Sequence, residues 1–163
     1  MLVVNVTNEI MAKIQIVLIS CVSRKGNTKA KAKDLYKGPL FTNSLAYGKS
    51  LKPDKIFILS ALYQLLDLEK EIEPYDVTLS YVSPDKKSKN PNLKVLTKAE
   101  AKLWGQNVLE QLSKVADVKE DNFIILAGKS YVEPIQNGLN KIEEPLKGLK
   151  QGERVKFLAS KLK

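Results

Sequence analysis

The chain has 163 residues, 44% of them hydrophobic and 28% charged. These are ordinary folding proportions, so wholesale disorder and collagen-like or mucin-like chains are excluded and one domain over residues 1–163 is expected. A single cysteine and no histidine exclude a disulfide framework, Cys/His zinc sites, histidine triads and a histidine general base, while 27 Lys+Arg against 18 Asp+Glu, net +9, favour a polyanionic partner.

Residues 1–11 read as an N-terminal extension or an extra edge strand, with Met11 as a second start. No basic stretch runs into an apolar block there, and no apolar run approaches the roughly 20 residues of a membrane span, so a cytoplasmic protein without membrane contact is expected. Residues 14–20 (IQIVLIS) form a β-branched apolar run, the pattern of a strand covered on both faces. Residues 39–51 place Leu40, Phe41, Leu45 and Ala46 at helical spacing, and 56–60 (IFILS) repeat the strand pattern. Residues 72–92, rich in Pro, Ser, Asn and Lys, predict a long loop holding one short edge strand at 77–82. A helix over 98–115 with Leu103, Trp104, Val108, Leu109 and Leu112 precedes a third apolar strand at 123–127 (FIILA). Two further helices are expected at 132–142 and 152–162. Strand and helix alternate, which predicts an α/β fold: a three-layer α/β/α arrangement around a mainly parallel sheet of about four strands, with right-handed crossovers.

Ligands of open parallel sheets bind outside the carboxyl ends of the strands, so the loops after the three apolar runs are the places to look. They carry Cys21, Ser23, Arg24 and Lys25, then Ser60 and Tyr63, then Lys129 and Tyr131. Gly128-Lys129-Ser130 lacks the upstream glycine of a phosphate loop, since that position is Phe123, so an NTPase is rejected and only an anion-binding turn remains. Cys21 beside Arg24 and Lys25 is a nucleophile if its thiolate is favoured and a small buried hydrophobe otherwise. Arg24, Lys29, Lys31 and Lys33 form the densest basic run, either phosphate contacts or a solvated face. Tyr36, Tyr63 and Tyr75 offer faces for base stacking or simple packing. Without histidine, a carboxylate is the best group to orient water or steady a cationic transition state, and Asp76 in Glu73-Pro74-Tyr75-Asp76 is the candidate; its alternative is a turn-capping Asp.

Five segments in order, CVSRK (21–25), LYKGPLF (35–41), ILSALYQLL (58–66), PYDVTL (74–79) and AGKSYVEP (127–134), resemble a small domain family of unknown function found in bacteria and phages and linked to YaaA-like peroxide-stress proteins. The chain departs from that pattern at Val22, which separates Cys21 from Ser23, at Gly38 in place of a serine, and at Gln64 in place of a glycine. The family is similar to uracil-DNA-glycosylase-like domains, including one attached to archaeal tRNA-guanine transglycosylases. That resemblance implies nucleobase or nucleic-acid chemistry.

The expected function is therefore a nucleic-acid-associated domain, an N-glycosylase acting on a modified nucleobase. Asp76, Lys25 and Ser23 would be catalytic. Cys21, Tyr36, Ser60, Tyr63, Tyr75, Lys129 and Tyr131 would bind substrate, and Arg24, Lys29, Lys31 and Lys33 would hold the nucleic acid. No metal or cofactor is expected. The alternatives are a non-catalytic nucleotide or nucleic-acid binding module of stress response or phage defence, and a small-nucleotide sensor.

Overall fold

The computed structural model describes residues 13–163; the expected extension at 1–11 lies outside the described residues. An uninterrupted apolar strand must be covered on both faces and flanked by other strands. The three apolar runs meet this requirement together. β1 (Gln15–Ser20) lies between β3 (Lys55–Ser60) and β8 (Asn122–Leu126) and is parallel to both, with Leu18 opposite Phe57 on one side and Ile125 on the other. Ile16, Val17, Leu18, Ile58, Leu59 and Phe123 are fully buried there.

The sheet is larger than the apolar runs alone predict. β4 (Gln64–Asp67) turns back antiparallel on β3, and β9 (Ile142–Glu143) adds in parallel to β8, giving five strands in the order β4-β3-β1-β8-β9. The fold is thus α/β with a mostly parallel central sheet. Six helices accompany it among the described residues. α2 (Pro39–Ser50) connects the β1 side of the chain to β3 and lies on β1, where Gly48 lets it approach Val17. α6 (Gln151–Lys161) packs on α2, the Tyr47 and Phe157 rings meeting edge-on at 6.3 Å. α4 (Lys98–Ser113) contacts β4 and α5 (Lys129–Gln136), and Trp104 Nε1 donates to the Ser60 carbonyl at 2.8 Å.

Two expectations shift. The helix expected at 132–142 starts earlier and stops earlier, because Gly128 serves as its N-cap and Ile142 is drawn into β9 opposite Phe123. The expected long loop is partly ordered: β6 (Val77–Thr78) pairs in parallel with β7 (Lys94–Val95) in a sheet of its own, and α3 (Pro84–Lys89) starts at Ser83, whose hydroxyl accepts from Lys86 N at 3.3 Å. No helix among the described residues is long and apolar enough to cross a membrane.

α4 has a reciprocal cap. Thr97 Oγ1 accepts from Glu100 N at 3.1 Å, and the Glu100 carboxylate accepts from Thr97 N at 2.9 Å. Removing such a cap costs about 1 kcal/mol, so Thr97→Ala should lower the urea midpoint accordingly. Lys94, bonded to the same carboxylate at 2.9 Å, joins the cap in holding the Glu100 carboxyl at about 2 rather than 4.5. A carboxyl depressed in the folded state contributes stability above its unfolded pKa and loses it as pH falls toward the folded one. The stability gap between wild type and Glu100→Gln should therefore be full at neutral pH and close between pH 4.5 and about 2.

Candidate functional site

Two short strands bring distant segments together at the carboxyl end of β1. β2 (Ala30–Lys31) pairs antiparallel with β5 (Glu71–Ile72), Ala30 opposite Ile72. Between β1 and β2 the chain is pinned by Cys21 N donating to the Leu59 carbonyl at 3.0 Å, Gly26 N to Leu35 at 2.9 Å, and Lys37 N to Arg24 at 2.8 Å. The last two bonds lay Lys25 against Tyr36, just past α1 (Ala32–Leu35), as an isolated bridge. Because β5 leads straight into Pro74-Tyr75-Asp76, the β2–β5 pairing delivers that motif to the Ser23–Asn27 loop.

The result is a cavity of about 310 Å³ lined by Ser23, Lys25, Gly26, Asn27, Pro74, Tyr75 and Asp76. This volume is at the lower end of small-ligand sites, about 300 Å³. A second cavity, about 290 Å³, is lined by Gln15, Asn122 and Lys141 among others, at the amino ends of the strands, where open α/β sheets do not place ligands.

Beneath the first cavity runs a chain of hydroxyls. Tyr75 Oη is 2.6 Å from Tyr36 Oη and 2.7 Å from Ser60 Oγ, and Ser60 Oγ accepts from Tyr63 N at 2.9 Å. Ser60 is wholly buried and Tyr36 nearly so. Burial, followed by the neighbouring Cys21, pushes both tyrosine hydroxyls well above their ordinary pKa, so they remain protonated and bonded to one another at neutral pH. Tyr63 meets Tyr75 edge-on at 5.5 Å, and its hydroxyl donates to the Glu73 carbonyl at 3.3 Å. Tyr75 is thereby held in one orientation from three sides.

Lys25 crosses this wall. Its Nζ lies 4.4 Å from the Tyr75 ring centre and 5.8 Å from that of Tyr36, and donates to the Ser23 carbonyl at 3.4 Å. No carboxylate oxygen pairs with it within 4.0 Å among the described residues, whereas Lys31 and Lys33 both pair with Glu69, at 3.2 and 2.8 Å. Burial lowers the Lys25 pKa from its ordinary value, against smaller upward pulls from Cys21 and Asp76.

The structure thus gathers Ser23, Lys25, Tyr75 and Asp76 around one cavity, with Tyr36, Ser60 and Tyr63 in the layer behind it. Cys21 is buried, its thiol 3.4 Å from Tyr131 Oη. Tyr131 is also buried and takes up Leu79 N and Thr78 Oγ1, each at 3.4 Å. These two support the β6 segment rather than line the cavity. Lys129 does not line the cavity; its side chain is 86% exposed and pairs with Glu133 at 4.0 Å. Arg24 and Lys29 are exposed, and Arg24 lies over Gly38. Gly38 has φ +98°, a conformation that a serine side chain disfavours. Sequence reasoning missed Gly26, Asn27 and Pro74 as lining residues. Their only signal was adjacency to Lys25 and to Tyr75.

The family model described as "Family of unknown function (DUF6884)" matches residues 16–160. No curated protein matches the chain.

Proposed function

The chain belongs to the DUF6884 family of unknown function, and we propose that it is a nucleic-acid-associated N-glycosylase acting on a modified base held in the cavity between Ser23 and Asp76. The observation that carries this reading is the presence of a carboxylate, a desolvated ammonium and a fixed aromatic wall around one small-ligand cavity. Breaking an N-glycosidic bond develops positive charge on the sugar and negative charge on the departing base, so a site needs an anion for the first and a donor for the second. Asp76 supplies the anion; Lys25 and Ser23 supply donors. Tyr75 forms the wall of the base pocket, with Lys25 lying over its face. The motif resemblance to YaaA-like and uracil-DNA-glycosylase-like domains points the same way. In this reading the sheet is the middle of three layers, with α2 and α6 on one face and α4 and α5 on the other.

The direct test is release of free base from oligonucleotides carrying modified or unmodified bases, read by mass spectrometry after incubation with the purified protein. Release from at least one modified substrate is expected. No release across a broad panel would favour the second reading, a non-catalytic nucleotide or nucleic-acid binding module. The exposure of Asp76 favours that reading, since catalytic carboxylates gain strength from shielding.

Phosphate contacts fall to the cations that are not already paired. Because Lys31 and Lys33 pair with Glu69, Arg24 and Lys29 are the proposed contacts. Affinity should fall steeply with salt, and removing two contacts should flatten the log–log slope by about 1.8 on duplex DNA. Fluorescence anisotropy of Arg24→Glu/Lys29→Glu across a salt series checks this. An unchanged slope and affinity would mean that this loop is only a solvated surface.

A further inference from the structure

We infer that Lys25 is an amine nucleophile for an aldehyde, the C1′ carbonyl that a deoxyribose exposes once its base has gone; the inference rests on the glycosylase reading for its substrate class. The geometry sets Lys25 apart. Surface lysines are fully protonated at neutral pH and carry their charge into water or onto a carboxylate. Lys25 Nζ instead lies in a small-ligand cavity, over the faces of two tyrosines at 4.4 and 5.8 Å, with a backbone carbonyl at 3.4 Å as its hydrogen-bond partner. Its backbone is held by the Lys25–Tyr36 bridge, and the two ring faces and the Ser23 carbonyl place the amine before any ligand arrives.

A lysine desolvated against apolar surface has a larger neutral fraction, and the neutral amine is the nucleophile in imine formation. Burial lowers the Lys25 pKa, in keeping with that placement. Asp76, across the same cavity, pulls in the other direction, and so do the ring faces, which favour a cation. The same carboxylate stabilises the iminium cation once it forms, so it opposes the free amine and favours the product.

The chemistry balances without an oxidant or reductant. The Nζ lone pair adds to C1′ as the C=O π bond breaks, and a proton moves from nitrogen to oxygen to give a carbinolamine. Protonation of that hydroxyl expels water, leaving a protonated C1′=Nζ bond. Water in excess reverses both steps.

The experiment uses the whole chain and a DNA oligonucleotide containing one abasic site, with cyanoborohydride to reduce any imine to a stable amine. The covalent adduct is digested and its position read by mass spectrometry. The expected result is an adduct on Lys25 in wild type, lost in Lys25→Arg, which keeps the charge but not the nucleophile, and retained in Lys49→Arg on the exposed end of α2. Mapping the wild-type adduct keeps the test decisive even if Lys25→Arg does not fold. No adduct, or one spread over surface lysines with no preference for Lys25, overturns the inference. Base release without a Lys25 adduct would leave the glycosylase reading standing alone, and a Lys25 adduct without base release would leave aldehyde capture standing alone.

Discussion

Gly105→Ala should destabilise the protein by about 2 kcal/mol or more, although alanine is the better helix residue by roughly 1 kcal/mol. Gly105 lies inside α4 where that helix crosses α5. A Cβ built there falls 2.3 Å from the Pro134 carbonyl oxygen and 2.7 Å from Pro134 Cβ. The obstacle is backbone and a rigid ring, so it cannot swing aside as the end of a long side chain would; the helices must separate. Separation loosens contacts across an interface packed to crystal-like density. It also moves Tyr131, on α5, away from Thr78 and Leu79, and with them the segment that follows Asp76. Equilibrium urea unfolding measures the first effect. Gly152→Ala in α6 is the control, because nothing stands within 4 Å of its added carbon, and it should unfold at or slightly above the wild-type midpoint. If Gly105→Ala matches wild type, the close approach of α4 and α5 is wrong.

The same crossing shows what a sequence conceals. Pro134 sits within α5, and only the partner helix explains why a glycine faces it. Strong local signals were legible: the three apolar runs are three adjacent parallel strands, and the periodic residues of 39–51 and 98–115 are helices. β4 was not legible, because Gln64-Leu65-Leu66-Asp67 is four residues long and its strand character comes from pairing with β3 rather than from propensity. One trace of it was visible. Gln64 stands where the resembling family has glycine, and it adopts φ +65°, the left-handed conformation that glycine accepts without cost. At the site, Lys25 could be named from its position after a strand, and Asp76 as a carboxylate in a chain without histidine. Their meeting could not, because it depends on β2 and β5, two-residue strands with no periodicity to detect. The pairing of Lys31 and Lys33 with Glu69 was hidden for the same reason: it joins the end of β2 and the residues just past it to a residue just before β5, far away in the chain.

Asp76→Asn is expected to reduce base release by about 10²-fold or more while leaving nucleic-acid affinity nearly unchanged. The two readouts separate because the proposed roles are separate. Arg24 and Lys29 on the loop would hold phosphates in both ground and transition states, so their contribution is uniform and appears in affinity. The Asp76 carboxylate faces a cavity whose other charged lining group is the Lys25 ammonium. Its negative charge gains value only as the sugar becomes cationic, so its loss is felt in the rate. Asparagine keeps the side chain's size and a hydrogen-bonding oxygen and removes the charge, which isolates the electrostatic contribution from a change in shape. Single-turnover base release with enzyme in excess, measured beside anisotropy titration of the same oligonucleotide, gives both quantities for both proteins. A variant that binds as tightly as wild type and releases base at a hundredth of its rate or less places the developing positive charge next to Asp76. Equal release by the two proteins removes Asp76 as the anion, and a parallel loss of binding and release would make it a substrate-positioning residue instead.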